Sequence, residues 1–445
     1  MKLEEARGAW SDFVLSKRIG IFFWEGFLGV APSLINGVHV LSEHGYYVDV
    51  ITRTNPQKYP LPPNFSKNVR ILEGCPPSVR IYRWLLSLRS SMGTKANTGV
   101  TNKTEGRMRR LLRRLYRNVY LVLDHLHFVA FGLRHTLRHR YICFIGVDMH
   151  GLVVASILGV VKRVPFLYWS LEIRFLREFR DPTLWLLKNL EKFCNRRARY
   201  TIIQDWDRAN SLIAENKIAS SSIIIVPNGP LGYPNETRSD YFQQKFGLSP
   251  SCRIILHIGE IGPSLLSLEL AEVAALWPDN WKLILHERVM RDSNNDPYLK
   301  QIQAVGQGCV LLSLTPVPYD ELDKIVCSAH IGIALYRKEL GPNFALIGMA
   351  SGKLGHYLRC GLPVICSDLY SLSEVIQKYQ CGVCVKDLRE IPKAIETIFE
   401  DYHLYRLNAL KCYKDVFEFG NHFKNVIHRI EHLCQRKKHK RLLRL

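Results

Sequence analysis

Lys17-Arg-Ile-Gly-Ile-Phe-Phe-Trp24 is a short β-rich run, followed by the Gly-containing turn Glu25-Gly-Phe-Leu-Gly29. A helix is predicted from Pro32, whose fixed φ suits a first turn, and Leu34, Val38 and Leu41 recur at helical spacing until Gly45 ends it. Tyr46 to Thr52 then reads as a second strand. Strand, helix and strand in that order make a βαβ unit, so an α/β architecture with a parallel, doubly wound sheet is expected.

The alternation continues outward from this unit. Strands are predicted at Tyr141–Gly146, Phe166–Ser170, Tyr200–Gln204 and Ile223–Val226, with helices over Leu152–Val161 and Pro182–Arg197; Pro227-Asn228-Gly229 then turns the chain. A second set starts afresh with strands Arg253–Ile258, Trp281–His286, Cys309–Ser313, Ile331–Tyr336 and Leu362–Ser367 and a helix through Leu268–Trp277. The expected domains are therefore 1–231, a polar linker over 232–250, 251–415, and a C-terminal helix with a basic tail over 416–445. Two Rossmann-like halves of this kind face one another across a cleft at the carboxyl ends of their strands, where open α/β sheets bind ligands. Ser90 to Gly106, rich in Ser, Gly, Asn and Thr without apolar periodicity, reads as a mobile loop in the first half.

The 445 residues fit two or three domains, and 47% hydrophobic content is ample for a core. This excludes a disordered polycation, although 61 Lys and Arg against 40 Asp and Glu leave a formal charge of +21. Such an excess calls for an anionic partner: nucleic acid, a membrane surface or a phosphorylated substrate. The 12 cysteines lie scattered in apolar runs and read as reduced, buried thiols. Cys381-Gly-Val-Cys384 has no second pair at metal spacing and sits in a strand-like run. Met1 to Ser11 carries no apolar signal core, and Val119–Leu133 is too short and too polar to span a bilayer. The expected location is cytoplasmic, peripheral on the cytoplasmic face of the membrane.

The sharpest local chemistry lies in Ala350-Ser-Gly-Lys-Leu-Gly-His-Tyr-Leu-Arg-Cys-Gly-Leu-Pro-Val-Ile365. Ser351 is a helix N-cap, Leu354, Tyr357 and Leu358 form a buried stripe, and Gly361-Leu-Pro stops the helix before a strand. A helix opening Ser351-Gly352-Lys353 offers free N–H groups, a positive dipole end and an ammonium, which suit a phosphate. Lys353 and His356, three apart, share a face. The plainer reading is a capped helix with a solvated lysine.

Ser351-x-Lys353-Leu-x-x-Tyr357-Leu-x-x-Gly361-Leu-Pro363-Val-Ile resembles the donor-site helix of family 4 glycosyltransferases and their relatives with the GT-B fold. Gln204-Asp205-x-Asp207-Arg208, Val226-Pro227-Asn228-Gly229, Leu256-x-Ile258-Gly259 and Val317-Pro-Tyr319-x-Glu321-Leu add matches in the same order. The resemblance implies transfer of a sugar from a nucleotide-sugar donor, held by Gly259, Ser351, Gly352, Lys353 and His356, to a glycan or lipid-linked acceptor in cell-surface polysaccharide synthesis. It also implies retention of configuration, no metal and no cofactor beyond the nucleotide sugar as co-substrate.

Two departures stand out: Gly348 and His356 occupy positions where many family members have glutamates, and Gly259-Glu-Ile-Gly-Pro-Ser264 lacks the family's basic residues. A noncatalytic glycan-assembly partner of the same fold therefore remains an alternative. On the acceptor side, Trp169-Ser-Leu-Glu172 and Asp148-Met-His150 end strands that face the cleft, and Gly26 and Gly29 shape the first turn. Glu172 is the catalytic candidate, with a surface carboxylate as its plainer reading and a helix N-cap as that of Asp148.

The charge is concentrated. Gly106 to Arg140 holds nine arginines against one aspartate, and Gln435 to Leu445 holds six Lys or Arg and no acid. Met108, Leu111, Leu112, Leu115, Tyr116 and Val119 fall at helical spacing among Arg109, Arg110, Arg113, Arg114 and Arg117. That is a basic amphipathic helix suited to an anionic membrane surface, or one docked on its own domain with a solvated basic face. A nucleic-acid-binding protein is the rival, but no stacking aromatics interleave these basic runs, and no nucleic-acid partner is expected.

Overall fold

The computed structural model describes residues 17–54, 64–81 and 103–442, the side chains of 103–117 and 436–442 excepted. Strands β1 (Arg18–Phe23), β2 (Tyr47–Arg53), β3 (Val69–Gly74), β4 (Cys143–Val147), β5 (Phe166–Trp169), β6 (Thr201–Ile203) and β7 (Ile223–Ile225) form one sheet, ordered β3-β2-β1-β4-β5-β6-β7. Every pairing in it is parallel. The second sheet holds β8 (Arg253–Gly259), β9 (Trp281–Glu287), β10 (Val310–Ser313), β11 (Ile331–Ala334), β12 (Val364–Ser367) and β13 (Gly382–Val385), ordered β10-β9-β8-β11-β12-β13 and again parallel. In each sheet the order reverses beside the first strand, β1 in one and β8 in the other. That reversal opens the crevice at the carboxyl edge.

Helices α1 (Pro32–Glu43), α2 (Lys103–Thr136), α3 (Asp148–Lys162), α4 (Pro182–Asn195) and α5 (Trp206–Asn216) wrap the first sheet. In the second half, α6 (Tyr241–Phe246) and α7 (Gly352–Arg359) bear on the site, and the long α8 (Phe419–Leu442) ends the chain. Leu34, Ile35 and Val38 of α1 cover one face of the first sheet together with Phe419, Phe423, Val426 and Ile430 of α8. The chain thus returns from the second half to the first. Phe128, Leu152, Leu158 and Leu187, from α2, α3 and α4, cover the other face.

Three sequence expectations change. Strand β3 was not foreseen, because only part of an edge strand is buried and its alternation is weak. It is held by Asp49 of β2, which is fully buried and accepts hydrogen bonds from Arg18, Arg70 and Tyr141. The stretch read as a linker contains α6, whose Phe242 is buried beside Ile254 and Leu256 in the second domain's core. Finally, α3 begins at Asp148 rather than Leu152.

The loop read over Ser90–Gly106 lies outside the described residues up to 102, and its last four residues already belong to α2. Met1–Ser11 also lies outside them. Arg109, Arg110, Arg113, Arg114 and Arg117 fall on α2, with their side chains outside the described set. Among the described residues no helix is long and apolar enough to cross a membrane.

Candidate active site

Between the two sheets lies a cavity of about 440 Å³, lined by Gly29, Ser33 and Glu172 from the first half and by Gly259, Arg288, Gly352, Lys353 and His356 from the second. The second-half wall is built on α7. Ser351 caps it, accepting a hydrogen bond from the Leu354 N–H at 3.3 Å, while its Oγ lies 2.6 Å from the Tyr336 hydroxyl. Ser351 does not line the cavity, so the expected hydroxyl contact with a diphosphate is replaced by a supporting role behind the wall. Gly352 faces open space: an added Cβ would meet nothing within 4 Å. The N–H groups of Gly352 and Lys353 open the helix and have no intrahelical acceptor, so they present the positive end of its dipole.

Lys353 crosses the ring of Tyr336, its Nζ 5.2 Å from the centroid. That Nζ is buried and has no hydrogen-bond partner among the described residues. Burial pushes the ammonium down to about 7; nearby Arg288 acts the same way, while Glu260 and Glu287 oppose it. Gly259, at φ 112, makes the tight exit from β8 that a side chain would strain, and Lys353 Cε passes 3.9 Å from where its Cβ would stand. Arg288 follows β9 and reaches Glu260 at 3.3 Å. His356 is buried, edge-on to Tyr319, with Nδ1 3.7 Å from Asp323 Oδ1.

The first-half wall carries Glu172, with Asp148 and Glu25 behind it. Asp148 has φ 52, a conformation that disfavours ordinary side chains, and its carboxylate accepts hydrogen bonds from the N–H groups of Leu171 at 2.7 Å and Glu172 at 2.9 Å. Asp148 therefore holds the loop that carries Glu172; it caps neither its own helix nor the cavity. Glu172 itself lines the cavity and is exposed. Burial pushes the Glu25 carboxyl up to about 7, with Glu172 adding to the rise and Arg53 resisting it. Gly26, at φ 75, turns the chain behind this wall, and Gly29 reaches the cavity.

The seam between the halves explains the Pro227-Asn228-Gly229 motif. Asn228 accepts a hydrogen bond from Ser33 of α1 and donates one to Ala350 O, while its own N–H reaches Met349 O. A Cβ at Gly229 would stand 1.8 Å from Phe417 O, so only glycine passes. Across the cleft, Asn343 exchanges hydrogen bonds with both the N–H and C=O of Ile173, and Arg208 donates to Asn343 and Leu171 O.

Residues 348–430, which include α7, match the family of the Glucosyltransferase 3-like, C-terminal domain. No curated protein matches the chain in sequence. Sucrose-phosphate synthase from Thermosynechococcus elongatus superposes with a TM-score of 0.66 at 14% identity, over 94% of this chain and 99% of that one. The chain has the GT-B fold. HepE of Anabaena, in complex with UDP-glucose, shares this fold with a TM-score of 0.60 at 15% identity, over 93% of this chain and 99% of its own. WaaG, a glycosyltransferase involved in lipopolysaccharide biosynthesis, gives 0.58 at 11%, over 92% and 99%.

Within the GT-B cleft, sequence reasoning singled out Gly259, Gly352, Lys353, His356, Gly29 and Glu172, and the structure brings them to one cavity. It passed over Arg288 and Tyr336. Arg288 could have been found as the first cation past the carboxyl end of β9, the edge at which such sheets bind ligands.

Proposed function

We propose that this protein is a glycosyltransferase using a nucleotide-sugar donor, with a glycan or lipid-linked acceptor, in cell-surface polysaccharide synthesis at an anionic membrane surface. The observation that carries the reading is the buried Lys353 Nζ, left without a hydrogen-bond partner among the described residues at the start of a helix that opens on the cleft. A buried ammonium in that state is costly, and a diphosphate supplies the missing acceptors. The HepE complex with UDP-glucose and the role of WaaG in lipopolysaccharide biosynthesis support the donor class and the acceptor class in turn.

In the proposed reaction an acceptor hydroxyl attacks the anomeric carbon on the face that the diphosphate leaves, the bond from that carbon to the diphosphate oxygen breaks, and the hydroxyl proton passes to the departing diphosphate oxygen. The leaving charge is met by Lys353, Arg288 and the Gly352 and Lys353 N–H groups, a metal-independent arrangement. Glu172, on the opposite wall, steadies positive charge developing on the sugar, and the outcome is retention. His356 donates to a donor hydroxyl. Thermal shift with UDP, GDP and ADP is expected to single out one stabilising nucleotide, and mass spectrometry of products from a matching donor panel to show transfer. No shift with any nucleoside diphosphate would overturn the reading.

A noncatalytic partner of the same fold is the second reading. It is favoured by Gly348, where even a Cβ would come within 2.9 Å of Ser371 O, leaving no room for a carboxylate side chain. Nucleotide binding without turnover of any donor would establish it.

A further inference from the structure

The first domain is asymmetric. One face of its sheet is covered by α1 and α8, whereas the helices on the other face leave large apolar side chains in the open. Val119, Val122 and Leu126 on α2, Ile157, Val160 and Val161 on α3, and Trp185, Leu186, Leu190 and Phe193 on α4 are all exposed, Val160 at 72% and Leu126 at 61%. Within each helix they recur one, three or four apart, which keeps each set on one broad face. Helix α3 packs against both α2 and α4, which places the stripes side by side.

The charge of the segments that carry these helices is one-sided. From 118 to 140, 149 to 163 and 182 to 200 there are seven exposed arginines, among them Arg138, Arg163, Arg197 and Arg199. The carboxylates in those stretches, Asp124 and Glu191, are buried and engaged, Asp124 by Ser78 and Glu191 by Lys188. Arg163, Arg196, Arg197 and Arg199 line a groove against α8, and Arg197 lies over the ring of Phe193 at 3.5 Å.

We propose that the outer face of α2, α3 and α4 is a docking surface for an anionic lipid bilayer, with the apolar stripes entering the interface and the arginines engaging lipid phosphates. Burial of apolar area and attraction of cations both act in such an interface. A second copy of this face would bring arginine against arginine, and a nucleic acid has no use for valine and isoleucine stripes. The inference rests on the membrane-bound acceptor proposed above, and the residues it names are other than the arginines at 109–117.

The test is co-sedimentation of the full chain with vesicles of phosphatidylcholine alone or with 30 mol% phosphatidylglycerol. Two paired variants accompany it, Val160→Ser/Val161→Ser and Arg197→Glu/Arg199→Glu, each checked for an unchanged UDP thermal shift. The expected result is at least tenfold stronger binding to the anionic vesicles, weakened fivefold or more by either pair and weakened by salt only through its charged part. Wild-type binding by both variants, or no vesicle binding at all, overturns the proposal. So does a monomer–dimer equilibrium that the same variants break without vesicle binding, because the face then belongs to a second copy. Vesicle binding without any nucleotide response would leave the surface standing and sink the donor reading instead.

Discussion

On the two sides of the cleft, burial displaces ionisable groups from ordinary titration in opposite directions. On the donor wall, burial lowers Lys353 to about 7. Behind the facing wall, burial raises Glu25 to about 7 and raises Asp148. In both places burial holds back the charged state, and at Lys353 an entering anion would restore it. The difference lies in construction. Lys353 is placed by its own helix start, whereas Glu172 depends on Asp148, 24 residues earlier, to hold its loop.

That contrast breaks first at Lys353. Lys353→Met is expected to reduce transfer by about 10²–10³-fold, the usual loss for one donor to developing negative charge, with the fold intact by circular dichroism. A change below threefold would remove the donor wall from the chemistry. Glu172→Gln should lower kcat by about tenfold or more while leaving UDP affinity, measured by calorimetry, within a factor of two. Equal losses in both quantities would merge the two walls into one site.

Asp148→Ala strips the Leu171 and Glu172 N–H groups of their acceptor and puts alanine at positive φ, so a loss of about 1–3 kcal/mol is expected in urea unfolding. Asp148→Asn keeps an acceptor and tolerates the conformation, and should recover most of that loss. Identical behaviour of the two would show that Asp148 does not hold the loop.

The smallest effect is protonic. At pH 8 the free Lys353 is mostly neutral, and diphosphate binding should charge it, taking up somewhat under one proton per UDP, measured by calorimetry in buffers of different ionisation enthalpy. Lys353→Met should abolish the uptake. Without ligand, the unfolded chain binds a proton here that the folded chain does not between about 7 and the ordinary 10.5, so this group makes stability rise with pH across that window. Glu25 does the reverse: its raised carboxyl favours the fold at low pH, and that contribution is lost as pH rises from 4.5 through about 7. A stability curve flat across both windows would show that neither group is displaced.

Much of the donor wall was legible because it is local. Gly352, Lys353 and His356 lie within five residues of one another behind the Ser351 cap, and capping and spacing are properties of a single helix. The first-half wall was named residue by residue but not understood, since the tie from Asp148 to the Glu172 N–H crosses two elements. The cap at Ser351 was legible, the burial of Lys353 in place of a solvated lysine was not, and the bond from Ser351 to Tyr336, 15 residues earlier, could not be read from the helix alone.

The sequence by itself determined two parallel α/β halves, a cleft between them and a phosphate-suited helix opening on it, because hydrophobic period, caps and breakers are written over stretches of ten to twenty residues. Only the tertiary structure decided that α8 returns to cover the first sheet, that α2, α3 and α4 leave their apolar stripes bare, and that Arg288 stands near Lys353. Burial and charge state depend on what distant elements bring to a residue's side, and no local pattern records that.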